Sequence, residues 1–319
     1  MTMLIGIDVG GTNLRVGVVD FQSGDTNAVH LIDEIRFQAD FSNLCKTQAS
    51  YPNQAWHSIL MTIADAIQNV RKKYPQISAV GIGFPGFIDP KTQMIAQSPN
   101  LPGLSNVDLS ADLSRIIQLP VITENDALAA AYGEFAMQSH LNNLIYLGLG
   151  TGVGGGLILN GKPWQGAHGV AMEAGHIITN PNGRPCGCGN LGCMEQYASA
   201  SGVAISYFEA TGKQNNASEI AYLANTGDSA AQAAYALAGS NLARALAHML
   251  KVIDVKDVIV GGGMSSAWPL MQPAFDAQLA QDLIPTLRGE VNVVVSTMGD
   301  QAGVIGAAML AYQFSSQNI

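Results

Sequence analysis

Two stretches of this chain repeat one local plan: an apolar β-rich run, a glycine turn, and a second apolar run. Leu4 to Val9 and Leu14 to Asp20 flank Gly10-Gly11-Thr12-Asn13. About 140 residues later, Asn143 to Leu149 and Gly155 to Asn160 flank Gly150-Thr151-Gly152-Val153-Gly154. The repeat predicts two related halves, each built around such a hairpin. A single glycine turn only closes a hairpin. Two of them can hold the two ends of a triphosphate through backbone amides, with the Thr12 hydroxyl as a further donor and Asp8 placed to hold a magnesium-bound water. Gly261-Gly262-Gly263, after a later strand, leaves room for an adenosine to lie flat. No Gly-Lys-Ser/Thr follows either turn, and the spacing of a dinucleotide fold is missing, so the phosphate cradle is of another kind.

The remaining pattern alternates strand and helix, which predicts α/β architecture. A helix spans about Gln54 to Lys73, and a strand from Ala79 to Phe84 ends at Pro85-Gly86. Val121-Ile122-Thr123 is a strand leading into Glu124-Asn125-Asp126, followed by helix-forming sequence from Ala127 to Met137. The last third reads as helices at about Ser229 to Val252, Pro269 to Leu279 and Gln301 to Tyr312. Strands lie among them at Val258 to Val260 and Val291 to Val295. No Pro/Ser-rich linker interrupts the chain, which places a tight hinge near residues 115 to 120.

Composition narrows the function classes. With 48% apolar residues, 319 residues can bury a large core. The net charge of −9 comes without any run of like charges, which argues against a nucleic-acid or anionic-membrane surface. The first residues read as a strand rather than a targeting segment, and no apolar stretch reaches the roughly 20 residues of a membrane span. The expectation is a soluble, cytoplasmic protein.

Cys186-x-Cys188-x4-Cys193, with His176 ten residues earlier, offers three thiolates and an imidazole in one short excursion. The sulfurs are too crowded for a disulfide framework, and Gly187, Gly189 and Gly192 between them suit a tight knuckle. The set matches a tetrahedral structural zinc in a reducing compartment. Zinc on one nitrogen of His176 leaves the other to bond a ligand, and Glu173 stands three residues before it. Asp126 is the candidate general base for phosphoryl transfer, although Asn125-Asp126 ahead of a helix also reads as a cap.

Taken together, these motifs resemble the ROK family (repressors, open reading frames, kinases) of the actin-like ATPase superfamily over essentially the whole chain. The likeness rests on Asp8-Val-Gly-Gly-Thr12, Gly150-Thr151-Gly152 through Gly156, Glu173-Ala-Gly-His176 and Cys186 through Cys193. It implies two actin-like (ribonuclease H-like) α/β domains with an interdomain cleft. Residues 1–118 would form the smaller, completed by a C-terminal helix 301–319, and 119–300 the larger, carrying the knuckle 176–193. The domains would close over a hexose and Mg-ATP. By resemblance, Asp126 takes the proton of the sugar's C6 hydroxyl while Asn100, Asn125, Glu173, His176 and Glu195 hold the other hydroxyls. Asp8, Gly10, Gly11, Thr12, Asn13, Gly150, Thr151, Gly152, Gly261, Gly262 and Gly263 serve the nucleotide, and His176, Cys186, Cys188 and Cys193 the zinc.

The short Ile177 to Pro185 connection is similar to that of the family's glucokinases, and homodimers are common in the family. Leu128 departs from the Asn that those glucokinases carry in an Asn-Asp-Ala-Asn run. The family's repressors carry an N-terminal helix-turn-helix domain, for which the phosphate motif at Asp8 leaves no room. Alternative substrates are N-acetylmannosamine, N-acetylglucosamine, mannose, fructose and allose. A sugar-sensing protein would be expected to lose Asp126 or a phosphate motif, and both are present. A polyphosphate donor would call for a basic groove, against which the acidic balance counts.

Overall fold

The first glycine turn joins β1 (Thr2–Val9) and β2 (Asn13–Phe21) in an antiparallel hairpin, with Asp8 opposite Arg15 and Gly6 opposite Gly17. The computed structural model describes residues 2–10, 13–21, 29–98, 101–138 and 140–317. β3 (Val29–Gln38) extends the hairpin on one side, and the chain then forms α1 (Phe41–Thr47) and α2 (Pro52–Lys73). Ile59, Ile63, Ile67 and Val70, spaced three or four residues apart, give α2 one buried face. β4 (Ala79–Phe84), buried throughout, pairs parallel with β1. A small sheet of β5 (Phe87–Ile88), β6 (Ile95–Gln97) and β7 (Ser105–Val107) follows, then α3 (Leu109–Ile117), β8 (Val121–Asn125) and α4 (Asp126–Ala136). The main sheet runs β3-β2-β1-β4-β8.

The second half repeats this order. β9 (Leu144–Leu149) and β10 (Val153–Leu159) flank the second glycine turn, and β11 (Lys162–Pro163) follows. After the knuckle come α5 (Glu195–Ala198), α6 (Ala200–Thr211), α7 (Ala217–Asn225) and the long α8 (Ser229–Ile253), capped by Asp228. β12 (Asp257–Gly261), α9 (Trp268–Asp282) and β13 (Asn292–Val295) complete a sheet of order β11-β10-β9-β12-β13. In both sheets the hairpin strand is followed by parallel partners, β1-β4-β8 in one and β9-β12-β13 in the other. The repeat of the glycine hairpins is therefore a repeat of topology.

α10 (Gln301–Gln317) packs against β1, β4 and α4. Small residues make the approach possible. Gly17, Gly6 and Gly81 stand in one row across three strands. A Cβ on Gly6 would lie 1.8 Å from the Val304 carbonyl oxygen, and one on Gly81 would lie 1.8 Å from that of Ala307. On the helix itself, a Cβ on Gly306 would meet the Ala129 oxygen at 1.7 Å. The opposite face of the sheet, carrying Ile5, Ile7, Val16, Val80 and Ile82, shares one apolar core with α2 and α3.

By contacts the chain divides into two compact units: residues 1–142, 156–171 and 300–319, and residues 143–155 and 172–299. Residues 119–142, expected with the second lobe, pack in the first, because β8 pairs with β4 and α4 packs on α10. The expected hinge at 115–120 covers the end of α3 and its link to β8, inside that unit. Among the described residues no helix is long and apolar enough to cross a membrane.

Gly81→Ala would drive a methyl group into the backbone of α10. We expect it to lower stability by about 3 kcal/mol, read from the urea midpoint. An unchanged midpoint would show that the helix does not rest on the strand backbone.

Candidate active site

In the first unit, Gly10 N–H donates to the Asn13 carbonyl at 2.9 Å and closes the first turn. Gly11, Thr12 and Asn100, all expected in the site, lie outside the described residues. Asp8 lies on the α10 face of β1, two residues from Gly6. A Cβ on Gly303, in the first turn of α10, would sit 3.0 Å from the Asp8 carboxyl carbon. Arg15 Nη1 stands 3.5 Å from Asp8 Oδ2, and its Nη2 stands 2.6 Å from Asp300 Oδ2. Burial, and after it the Asp126 charge, pushes Asp8 up to about 7, against the pull of Arg15. Mutual repulsion of this kind is what a divalent cation relieves, and Asp8 is suited to hold one through water.

Asp126 opens α4, as its place between strand and helix predicts. Its Oδ1 accepts from the Ala127 amide at 2.9 Å, and burial raises its pKa. Asn125 is the helix cap: Oδ1 accepts from Leu128 N–H at 3.0 Å, while Nδ2 donates to the Gly86 carbonyl at 3.1 Å. An amide has two lone pairs and two N–H groups, so capping leaves Asn125 one acceptor and one donor position for a ligand. Leu128 is buried on the same helix.

Three residues here were not anticipated. Glu124, only 5% exposed, accepts from the Asn125 amide at 2.8 Å through Oε1 and from the Gln165 side chain through Oε2. Burial pushes it up to about 7, although both hydrogen bonds pull it down. Arg15 was legible in principle: a hairpin closed by residues 10–13 sets residue 15 opposite residue 8. The contact of Gln165 with Glu124 spans 41 positions of sequence and carries no local signal.

In the second unit, Gly150 N–H donates to the Gly152 carbonyl at 2.9 Å, a closure one residue shorter than that of the first turn. Ala200 N–H donates to Gly150 O at 2.9 Å, and Ser201 Oγ donates to Thr151 O at 2.9 Å. Glu195, expected as a sugar ligand, accepts from Val153 N–H through Oε2 at 2.9 Å. Gly261 ends β12 in register with Gly148, and Gly262 turns with φ +81°, where a Cβ would lie 2.4 Å from Leu149 O. Gly263 then begins a short 3₁₀ turn.

His176, Cys186, Cys188 and Cys193 converge, their ligand atoms all lying within 4.8 Å of one another. Cys186 Sγ is 3.6 Å from His176 Nδ1, and Cys188 Sγ is 3.6 Å from Cys193 Sγ. A tetrahedral ion with bonds of about 2.3 Å to sulfur and about 2.1 Å to nitrogen sets ligand edges of roughly 3.6–3.8 Å, so the donor set fits zinc. Burial and the adjacent thiols push Cys193 up to about 12, whereas hydrogen bonds led by the Asn190 amide lower Cys188. Such sulfurs share one space as thiolates only around a cation. Gly192 (φ +79°) allows the knuckle to fold, since a Cβ there would lie 1.7 Å from Asn180 O. Asn241, fully buried in α8, accepts from Thr179 Oγ1 at 2.8 Å and so ties the approach to the knuckle to the helix layer. The other imidazole nitrogen of His176, Nε2, faces Glu173 Oε2 at 3.8 Å. Met172, immediately before Glu173, adopts φ +64°, a strained value for a side-chain-bearing residue.

A family model described as the ROK family matches residues 4–314. The glucokinase of Thermotoga maritima is 31% identical, with 96% of each chain covered. The N-acetyl-D-glucosamine kinase of Shigella boydii serotype 4 is 32% identical over 97% of this chain and 99% of that one. Among solved structures, a ROK family glucokinase from Streptomyces griseus in complex with glucose and AMPPNP superposes with a TM-score of 0.80. It is 29% identical and covers 98% of this chain and 99% of its own.

Two outcomes are expected. Folded Glu124 keeps its proton up to about pH 7, whereas the unfolded side chain releases it near 4.5, so wild-type stability falls as pH rises between those values. Glu124→Gln removes that slope. It should gain about 2–3 kcal/mol over wild type at pH 8 and nothing at pH 4, measured by urea denaturation; equal slopes would overturn the assignment. Cys188→Ser should lose bound zinc, measured by plasma emission, while Cys45→Ser, at a buried cysteine in the other unit, retains it.

Proposed function

This chain belongs to the ROK family and has its two-domain actin-like ATPase fold, and from that premise we propose that it is an ATP-dependent kinase transferring the γ-phosphoryl group of Mg-ATP to the 6-hydroxyl of glucose. The observation that carries the reading is the half-buried Asp126 carboxylate at the β8–α4 junction. Its Oδ1 is oriented by the Ala127 amide, and its proton affinity is raised by burial. A carboxylate so held can take the hydroxyl proton as the sugar oxygen bonds to phosphorus and the bond to ADP breaks. Phosphoryl transfer asks little else of the protein beyond positioning and charge.

Asp8 would hold magnesium through water, and the ion would neutralise charge on the phosphates. Gly10, Asn13, Gly150, Thr151 and Gly152, with Gly261 to Gly263, supply backbone approach for the nucleotide. Asn125, Glu173 and His176 offer donors and acceptors for the sugar's other hydroxyls. Zinc, held by His176, Cys186, Cys188 and Cys193, would be structural, because four protein ligands leave no open position. Thiolate ligands require a reducing compartment, which supports a cytoplasmic setting.

A second reading, a kinase for an N-acetylhexosamine, is favoured by the relative of that activity, whose 32% identity is close to the 31% of the glucokinase. The test is an ADP-release assay with Mg-ATP against glucose, mannose, fructose, allose, N-acetylglucosamine and N-acetylmannosamine. A kcat/KM maximum for glucose is expected; a maximum for an N-acetylhexosamine would establish the second reading, and no turnover with any sugar would overturn both. Asp126→Asn should lower kcat by roughly 10³-fold or more with sugar binding largely retained, measured by calorimetry. Substantial residual turnover would remove Asp126 from the role of base.

A further inference from the structure

The Gly152–Val153 peptide in the second glycine turn is held at both ends. Its carbonyl accepts from Gly150 N–H at 2.9 Å, and its N–H donates to Glu195 Oε2 at 2.9 Å. A peptide plane bonded on both edges cannot flip, so the turn has one shape and its remaining amides keep one arrangement. The carboxylate lies close against the turn, since a Cβ on Gly152 would stand 2.3 Å from Glu195 Oε2. Gly175 closes the other side: a Cβ there would lie 2.5 Å from Val153 O and 3.4 Å from Glu195 Cβ.

Glu195 is itself fixed from the knuckle. It follows the ligand Cys193 by two residues, through Met194, which is fully buried and donates its amide to Ile177 O at 2.8 Å. Gln196 N–H donates to Cys193 O at 3.0 Å, so the ligand's own carbonyl starts the helical turn that carries Glu195. On the far side of that turn, Ala200 and Ser201 bond Gly150 O and Thr151 O. One short segment thus runs from a metal ligand to three successive contacts on the glycine turn.

We infer that Glu195 is a positioning residue for the nucleotide turn, and that the metal knuckle, acting through it, sets nucleotide affinity independently of the sugar. The inference rests on the proposed role of Gly150 to Gly152 in holding the nucleotide. It gives Glu195 work on the phosphate side of the reaction in addition to any hydroxyl it bonds.

The test uses the full chain without sugar. Hydrogen exchange is followed in the peptide covering residues 149–155, and Mg-AMPPNP affinity is measured by calorimetry for wild type, Glu195→Ala, Glu195→Gln and chelator-treated wild type. Glu195→Ala and chelation should each speed exchange in 149–155 and weaken Mg-AMPPNP binding roughly tenfold. Chelating Glu195→Ala should add nothing further. Glu195→Gln keeps an acceptor oxygen for Val153 N–H and should stay within roughly threefold of wild type. Unchanged exchange and nucleotide affinity in Glu195→Ala would overturn the inference and leave Glu195 with the sugar alone. If wild type binds no Mg-AMPPNP, the kinase reading fails separately, and exchange in 149–155 still decides whether Glu195 and the metal hold the turn.

Discussion

Gly17, Gly6 and Gly81 lie side by side across β2, β1 and β4, and the sheet there presents bare backbone. Much of the first unit depends on that row. A helix lying on side chains would stand several ångströms further off; α10 instead rests on the strands, with Gly306 meeting Ala129 O in α4 in the same way. The close approach brings the last segment of the chain back onto the first strand. It delivers Gly303 against the Asp8 carboxyl and Asp300 against Arg15. Asp300 thereby adds to the electrostatics of Asp8, behind burial, Asp126 and the hairpin's own Arg15.

The second unit uses the same strand order to another end. Its in-register glycines, Gly148 and Gly261, accommodate the ring of Tyr146: a Cβ on Gly261 would lie 2.6 Å from the Tyr146 hydroxyl. That aromatic side chain is itself buried. The glycine turn is also braced differently, by Glu195, Ala200 and Ser201 from the segment that follows the knuckle. One topology thus supports two glycine turns whose closures and surroundings differ.

What could be read from sequence follows from how local each signal is. The hairpins, the Ala79–Phe84 strand, the helix that becomes α2 and the junction at Asp126 are written in short windows of apolar periodicity and glycine, and the structure places them there. The cluster that could hold a metal was legible because all four of its residues fall within eighteen consecutive positions, 176 to 193. The unit boundary was not, since β8 joins the first sheet by parallel pairing with β4, a non-local choice that no linker marks. Gln165 on Glu124 and Glu195 on Val153 were hidden for the same reason: each joins residues about forty positions apart. Glu124 stood in plain view beside Asn125-Asp126, but only its burial distinguishes it from an ordinary surface acid.

The chemistry proposed for the sugar hangs on which groups can donate and which can only accept. Leu128, buried and apolar, can do neither, so under the proposed function hydroxyl discrimination would fall to polar residues elsewhere. With Nδ1 of His176 in the knuckle, a bound metal fixes the neutral tautomer and leaves the proton on Nε2. His176 then donates only, and the neighbouring Glu173 carboxylate accepts only. A donor and an acceptor 3.8 Å apart suit two adjacent hydroxyls, one accepting and one donating. A sugar lacking either hydroxyl would forgo one of these bonds, and a site built to bond a hydroxyl discriminates more strongly than an apolar pocket does. A metal in the knuckle would then contribute to selectivity without itself touching the sugar, by deciding which nitrogen of the His176 imidazole carries the proton.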